Sequence, residues 1–410
     1  MNQFGLLRVF GYSIRVIFTV VTLIALSAGA VQSQKMDSVL LSMQRSIHYL
    51  NHSIRQDGSF LYRINLNPEV IVNEKYNILR HAGTIYAMAS YCSVYPDSLL
   101  ETQILLATDF LLGQTNKHPE NDSSMKAVWS DPAINHSRRL LEAKLGGTGL
   151  GLVALLSVDK IHPGYTPLMD LKALGKFILY MQKKNGDFHS KYIPQEGGLQ
   201  NNWKSLYYPG EAALGLIMLY EKEQSEIWLE SAFRALSFLA ESRKGQKDVP
   251  ADHWALLATG RLLDHSNLLT EDQKNLLFNH AIQICRSILR DQLKYHQISR
   301  IAGGFTKDGR TTPASIRLEG LLAIYPHLTE DSGLKGETGK AIELGIDFLL
   351  EAQIKNETHA GAYPRAITLI PSTVRDAKKF NDRAGEIRID YVQHALSALL
   401  MYHLQFSENP

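Results

Sequence analysis

The stretch YYPGEAALGLIMLYE (207–221) decides how this chain is read. Its apolar residues recur at helical spacing and leave almost no polar face, so the helix is buried nearly all round. Its alanines and glycines let a neighbouring helix come close. Yet its first turn carries two tyrosines, a proline, a glycine and an acid, which burial alone does not call for.

Five further segments share this short, apolar, small-residue character: 80–91, 148–158, 253–263, 316–325 and 391–404, beside 209–220 itself. They alternate with six amphipathic segments richer in Lys, Glu, Asp and Gln, at 36–50, 99–112, 168–181, 227–242, 271–289 and 340–352. The second group has one wet face and belongs outside; the first belongs inside. A helix pair recurring at an uneven period of roughly 45–75 residues predicts a closed ring, because an open solenoid has an even period and polar caps. The expected fold is all-α: a single (α/α)6 toroid of six helical hairpins over residues 36–410.

The connections are lopsided. Links from an inner to an outer helix are short, such as CSVYPDS and DHSNLL. Links from an outer to an inner helix are long, at 51–79, 113–147, 182–208, 290–315 and 353–390, with only the one before His253 modest. Long loops in a compact domain are usually functional. Several contain hairpin-like pieces: RQDGSFLYR, KNGDFHSKY, GGFTKDGRTT and GAYPRA. Connectivity puts all these loops on one face, together with the amino-terminal ends of the inner helices. Those ends carry unpaired N–H groups and partial positive charge, which suits an anionic ligand.

The odd helix openings therefore face a common mouth. They read NILRHAGT, AKLGGTGLG, SLYYPGEA, PADHWALL, SIRLEGLL and RIDYVQHALS. Candidate catalytic residues are Tyr208, Glu211, Asp252, Glu319, Asp390, Tyr391 and His394. Candidate substrate-binding residues are Arg80, His81, Tyr207, His253, Trp254, Arg317 and Arg388, with Tyr363 and Arg365 from the loops. Each also has an ordinary role. Asp252 and Asp390 suit N-caps, Glu211 and Glu319 suit first turns, Pro209 suits a first helical position, and Arg317 suits an ion pair. Aromatic rings stack on sugar faces, and arginine grips carboxylates in bidentate fashion. The combination points to an acidic glycan or another anionic small substrate.

Other classes recede. The chain has 410 residues and a formal net charge of +2 without a long basic run, so nucleic acid is not expected. GGTGLG follows no strand and lacks the dinucleotide spacing, and Walker A, G-x-S-x-G and H-E-x-x-H patterns are absent. His81, His253 and His394 form no short-range ligand pair, so neither metal nor cofactor is expected. Cys92 and Cys285 read as buried free thiols or one disulfide. Four sequons, at Asn51, Asn121, Asn135 and Asn356, matter only in a eukaryotic secretory host. Residues 1–35 carry Arg8 and Arg15, an apolar run and an Ala28–x–Ala30 pattern. They read as a secretory signal, or as an uncleaved signal-anchor; either puts the body outside the cytoplasm, secreted or periplasmic.

The chain resembles the six-hairpin toroids of carbohydrate-active enzymes. RIDYVQHALSALLMY and YYPGEAALGLIMLYE look like the carboxyl-terminal Arg-x-Asp-Tyr…His segment and the Tyr-rich inner helix of uronyl 5-epimerase catalytic domains. The β-rich amino-terminal region of those epimerases has no room here. FILYMQKKNGDF and FLLEAQIKNETHAGAY look like the outer-helix Gln…Gly-aromatic repeat of the terpenoid cyclase superfamily, but the D-x-D-D acid of those cyclases is missing.

The epimerase resemblance implies proton exchange at a uronate by Tyr208 and Tyr391, with His394 or Glu211 as substitutes and Arg317 and Arg388 on the carboxylate. A glycoside hydrolase would instead use two of Glu211, Asp252, Glu319 and Asp390. Their separation would be ~5–5.5 Å for retention and ~6.5–9.5 Å for inversion. A non-enzymatic envelope glycan or peptide binder is the third expectation.

Overall fold

The computed structural model describes residues 32–73, 75–135, 139–293, 299–330, 333–355 and 358–407. Arg8, Arg15 and the Ala28–x–Ala30 pattern of the expected leader lie outside them. Helix α1 (32–52) is followed by α2 (Ile78–Val94), α3 (Ser98–Gly113), α4 (Leu145–Ile161) and α5 (Leu168–Met181). Next come α6 (Tyr208–Glu223), α7 (Glu226–Arg243), α8 (His253–Leu263) and α9 (Glu271–Asp291). The chain ends with α10 (Thr311–Ile324), α11 (Gly333–Ala352), α12 (Ala377–Asp382) and α13 (Ile389–Phe406).

Helices α2, α4, α6, α8, α10 and α13 pack each on the next, and α13 returns to α2. This is the inner ring. Helices α1, α3, α5, α7, α9 and α11 stand outside it, and the expected toroid is the observed one. The short helix α12, inside the last long loop, was not anticipated.

Small residues make the inner ring tight. A Cβ on Gly149 of α4 would lie 2.8 Å from the Ala212 nitrogen of α6, and one on Gly210 would lie 2.5 Å from the Ala255 nitrogen of α8. The inner helices thus meet backbone to backbone.

The long loops share one face because they pair with one another. Strand β1 (Arg63–Asn65) runs antiparallel to β6 (Glu386–Arg388), joining the first long loop to the last. Strands β2 (Trp129–Ser130), β3 (Glu142–Lys144), β4 (Lys191–Ile193) and β5 (Gly198–Gln200) form an antiparallel sheet from the second and third loops. Of the four expected hairpin pieces, two close on single bridges, Ile54 to Phe60 and Gln182 to Phe188, while the other two join through Arg310 and Ala366, with Pro364 bridging to Ile387 of β6.

The Gln…Gly repeat latches one outer helix to the next. Gln182 donates to the Ser231 carbonyl of α7 at 2.9 Å, and Gln353 donates to the Ser42 carbonyl of α1 at 2.8 Å. Gly186 (φ +90°) and Gly361 (φ +92°) then turn the chain against the carbonyls of Arg234 and Arg45. Only glycine adopts that backbone without strain. The second latch closes the outer ring between α11 and α1. There Lys35 binds Glu343 and Asp347 at 2.6 and 2.7 Å, and the Tyr402 hydroxyl of α13 donates to the same Glu343 at 2.7 Å. Cys92 and Cys285 are both free and buried.

A Cβ at Gly361 would sit 2.0 Å from the Arg45 carbonyl oxygen, whereas one at Gly113 meets nothing within 4 Å. Chemical denaturation should therefore show Gly361→Ala losing at least about 2 kcal/mol. Gly113→Ala should change stability by less than about 0.5 kcal/mol.

Candidate active site

The inner-ring helices open on a cavity of about 310 Å³ on the loop face. Nine of the expected residues line it: Arg80, Tyr207, Tyr208, Glu211, His253, Trp254, Arg388, Asp390 and His394. Local helix chemistry places them. Pro209 sits in the first turn of α6, between Tyr208 and Glu211. Asp252 caps α8, accepting from the Ala255 N–H at 3.2 Å, and so fixes His253 as its first helical residue.

Three side chains gather beside the cavity. His394 Nδ1 lies 2.8 Å from Glu319 Oε2, and His253 Nε2 lies 3.9 Å from the same oxygen. The two imidazole centroids are 5.4 Å apart, with the rings nearly perpendicular. Tyr207 packs edge-on against His253 at 5.1 Å. Neither ring nitrogen of His253 has a hydrogen-bond partner. Burial above all, then the charges of His394 and Arg317, hold His253 well below the usual imidazole range. It is a neutral base at pH 7. Burial pushes the Glu319 carboxyl up, and His394 pulls it back down.

These three residues also offer ligand atoms within 4.8 Å of one another, a two-histidine, one-carboxylate donor set. His394 Nδ1 and Glu319 Oε2 are already turned toward each other in a hydrogen bond, an arrangement that fits proton transfer better than joint coordination.

A second group is ionic. Arg388 donates to Asp390 at 2.8 Å, and Arg80 Nε lies 3.0 Å from the same carboxylate. Arg80 also donates to the Tyr62 hydroxyl at 2.7 Å. Burial opposes the Asp390 charge, but the two guanidiniums outweigh it and hold the carboxyl below its ordinary value. Two arginines against one aspartate leave one surplus positive charge on the cavity wall.

Glu211 is treated differently. It is 5% exposed and its Oε2 has no hydrogen-bond partner. Burial, with the Asp252 carboxylate adding to it and Arg80 opposing, pushes its carboxyl up to about 8.

Several expected residues stay out of the cavity. His81 is sealed in the core, where Tyr76 and the Ala107 carbonyl bond its two nitrogens at 2.7 and 2.8 Å. Asp252 is fully buried behind α8 and paired with Arg243 at 2.8 Å. Tyr391 donates to Glu386 at 2.8 Å. Arg317 reaches back to Asp291 at 3.2 Å, Tyr363 is buried against Ser42 of α1, and Arg365 stacks on Phe380. Glu319 is not in the cavity lining but touches His394, which is, at 2.8 Å. It lies beyond the first turn of α10, because that helix begins at Thr311 rather than near Ile316.

The same early start explains a missed residue, Thr312, which lines the cavity from the TTP opening of α10. Pro313 in that opening was the available signal. Asn77, the side-chain cap of α2, and Gln393, beside His394, were also missed.

Glu211 gives a stability prediction. Between pH 4.5 and about 8 the folded chain keeps this proton while the unfolded chain loses it, so stability falls as pH rises through that window. Glu211→Gln removes the penalty. Its thermal or urea midpoint should exceed the wild type's at pH 7, by up to about 3 kcal/mol, with the gap closing near pH 5.

No family model matches the chain, and no curated protein matches it. Solved structures do. A sugar epimerase from a ruminal bacterium aligns with a TM-score of 0.65 at 11% identity, covering 92% of this chain and 100% of that one. The cellobiose 2-epimerase of Bacillus thermoamylovorans aligns at 0.63 and 12%, covering 90% and 99%. The α-1,6-mannanase of a Salegentibacter species aligns at 0.59 and 11%, covering 90% and 99%. At such identities the likeness is one of fold: all three share this chain's ring of helices over nearly their full lengths.

Proposed function

We propose that the chain is a carbohydrate-active enzyme that moves a proton at a sugar carbon next to a carbonyl or carboxylate, as an epimerase or isomerase does. One observation carries this reading: the His253–Glu319–His394 cluster, buried except for half-buried His394, with both nitrogens of His253 unengaged. Neutral His253 accepts a proton. His394, hydrogen-bonded to Glu319 at 2.8 Å, is the second ring placed to exchange a proton. The cavity is at the small end of ligand pockets, which run to about 300–1,000 Å³.

The spacing of the rings limits the chemistry. Centroids 5.4 Å apart leave no room for a sugar carbon between them, so both bases act from one wall. A proton returned to the same face after the carbonyl has shifted gives isomerisation. In an open-chain sugar, a proton returned after the intermediate turns about a single bond gives epimerisation; a ring carbon beside a carboxylate would only exchange its proton. This reading gives the proton transfers to the histidines rather than to the expected Tyr208 and Tyr391; Tyr391 donates to Glu386, whereas Tyr208 stays on the cavity wall.

The surplus charge of Arg80 and Arg388 over Asp390 supports a substrate bearing an anionic group, a uronate among them. Among the solved neighbours are sugar and cellobiose epimerases and a mannose isomerase. A mannanase neighbour is described as inactive when two consecutive aspartates are replaced; this chain contains no consecutive aspartates. Asp252 and Asp390 are each bound by arginine, which disfavours a hydrolytic carboxylate pair. On its leader sequence, the enzyme works outside the cytoplasm.

Incubation with D-mannose, cellobiose, D-glucuronate and uronate oligomers in deuterated water tests the reading. Solvent deuterium should enter the carbon beside the carbonyl or carboxylate. His253→Ala and His394→Ala should each slow exchange by about 10²–10⁴. New reducing ends or unsaturated ends without exchange would overturn it, as would full activity in both variants. A chelator should leave the wild-type rate unchanged, because on this reading the two histidines exchange protons directly with the substrate.

A further inference from the structure

The cavity holds two carboxyl groups in opposite surroundings. Asp390 is surrounded by donors: Arg388 and Arg80 both bind it. Glu211 has none on Oε2. The neighbouring helix α4 presents only Gly146 there, where a Cβ would strike that oxygen at 2.0 Å and the Tyr208 ring at 2.3 Å. The notch thus admits the carboxyl and gives it nothing to bond. From α8 it faces the negative Asp252, with neutral His253 across the cavity. From α2 it faces Arg80, already held by Asp390 and Tyr62. Arg80 alone favours a carboxylate here, and burial and Asp252 outweigh it. With Oε2 enclosed, Oε1 is the oxygen left to meet a ligand.

We propose that Glu211 is a neutral carboxylic acid that donates a hydrogen bond to the substrate oxygen on which negative charge gathers during proton transfer. This rests on the proton-transfer reading of the site. In that step the substrate C–H bond breaks and its proton goes to His253. The electron pair forms a double bond to the carbonyl or carboxyl carbon, and the π pair moves onto oxygen. Glu211 bonds that oxyanion. The reverse electron flow takes a proton back from a histidine to carbon, so nothing is oxidised or reduced. A donor aimed where charge develops favours the transition state over the ground state. The proton stays on Glu211 to about pH 8, so the donor is present at neutral pH. A buried carboxyl kept neutral beside an ionised one is a known way to divide such roles.

Deuterium exchange into the best substrate of the panel above should be followed against pH for the wild type, Glu211→Gln and Glu211→Leu. Glutamine keeps a donor but does not ionise. The wild-type rate should fall as pH rises through about 8. Glu211→Gln should stay within about tenfold at pH 7 and lose that alkaline fall. Glu211→Leu should lose about 10²–10³ in rate while melting as a folded protein.

Difference infrared spectra of wild type against Glu211→Gln provide a readout independent of turnover. A protonated carboxyl band should be present at pH 7 and vanish above pH 8. An absent band overturns the proposal, as does a Gln variant as slow as the Leu variant. A rate that rises through pH 8 makes Glu211 a base and also overturns it. A band without exchange by any wild-type sample overturns the proton-transfer reading and leaves only the protonation state standing.

Discussion

Backbone contact between the inner helices is the constraint from which the site follows. Where Gly149 meets Ala212 and Gly210 meets Ala255, no side chain separates neighbouring helices. That closeness draws the amino-terminal ends of the inner ring into one narrow mouth. A wider ring built from leucines would fill its own centre and hold the same polar residues too far apart to share a substrate. The small residues therefore fix more than packing density: they set the diameter of the cavity and so the size of what enters it.

Within that mouth, burial decides charge more than sequence does. Glu211, Asp390 and His253 lie in the same cavity, and their protonation is set by their neighbours. Asp390 stays ionised because two guanidiniums reach it. Glu211 and His253 stay neutral because nothing of opposite charge reaches them in full. The result is one fixed ionic cluster next to a neutral acid and a neutral base. In the proposed reaction, one wall of the pocket orients an anion and the other moves protons.

The ring itself was legible in the sequence, because its periodicity has two distinct textures. Wet amphipathic helices alternate with dry ones rich in glycine and alanine, and only a closed double ring accommodates that alternation. The cavity was legible wherever an odd residue opened an inner helix, as with Tyr207, Tyr208, Glu211, His253 and Arg388. The reading failed where a residue's direction depends on a single turn of helix. His81 follows Arg80 directly and points into the core instead. Glu319 looked like a first-turn acid until α10 proved to start at Thr311. Arg317, Tyr363 and Arg365 found partners on distant elements, Asp291, Ser42 and Phe380, which no local pattern reveals. The pairing of His394 with Glu319 spans 75 residues and could only be seen in three dimensions.

The meeting of Lys35, Glu343 and Tyr402 ties the first outer helix to the last helix of the chain. A ribosome releases Lys35 ahead of Glu343 by 308 residues, and ahead of Tyr402 by more. Until α13 emerges, α2 and α10 lack their shared neighbour, and the dry flanks of both remain open to water. Until α13 has been made, synthesis therefore leaves an unclosed arc of helices, exposed to self-association and to capture by holding chaperones. The circle cannot close before that helix has left the ribosome.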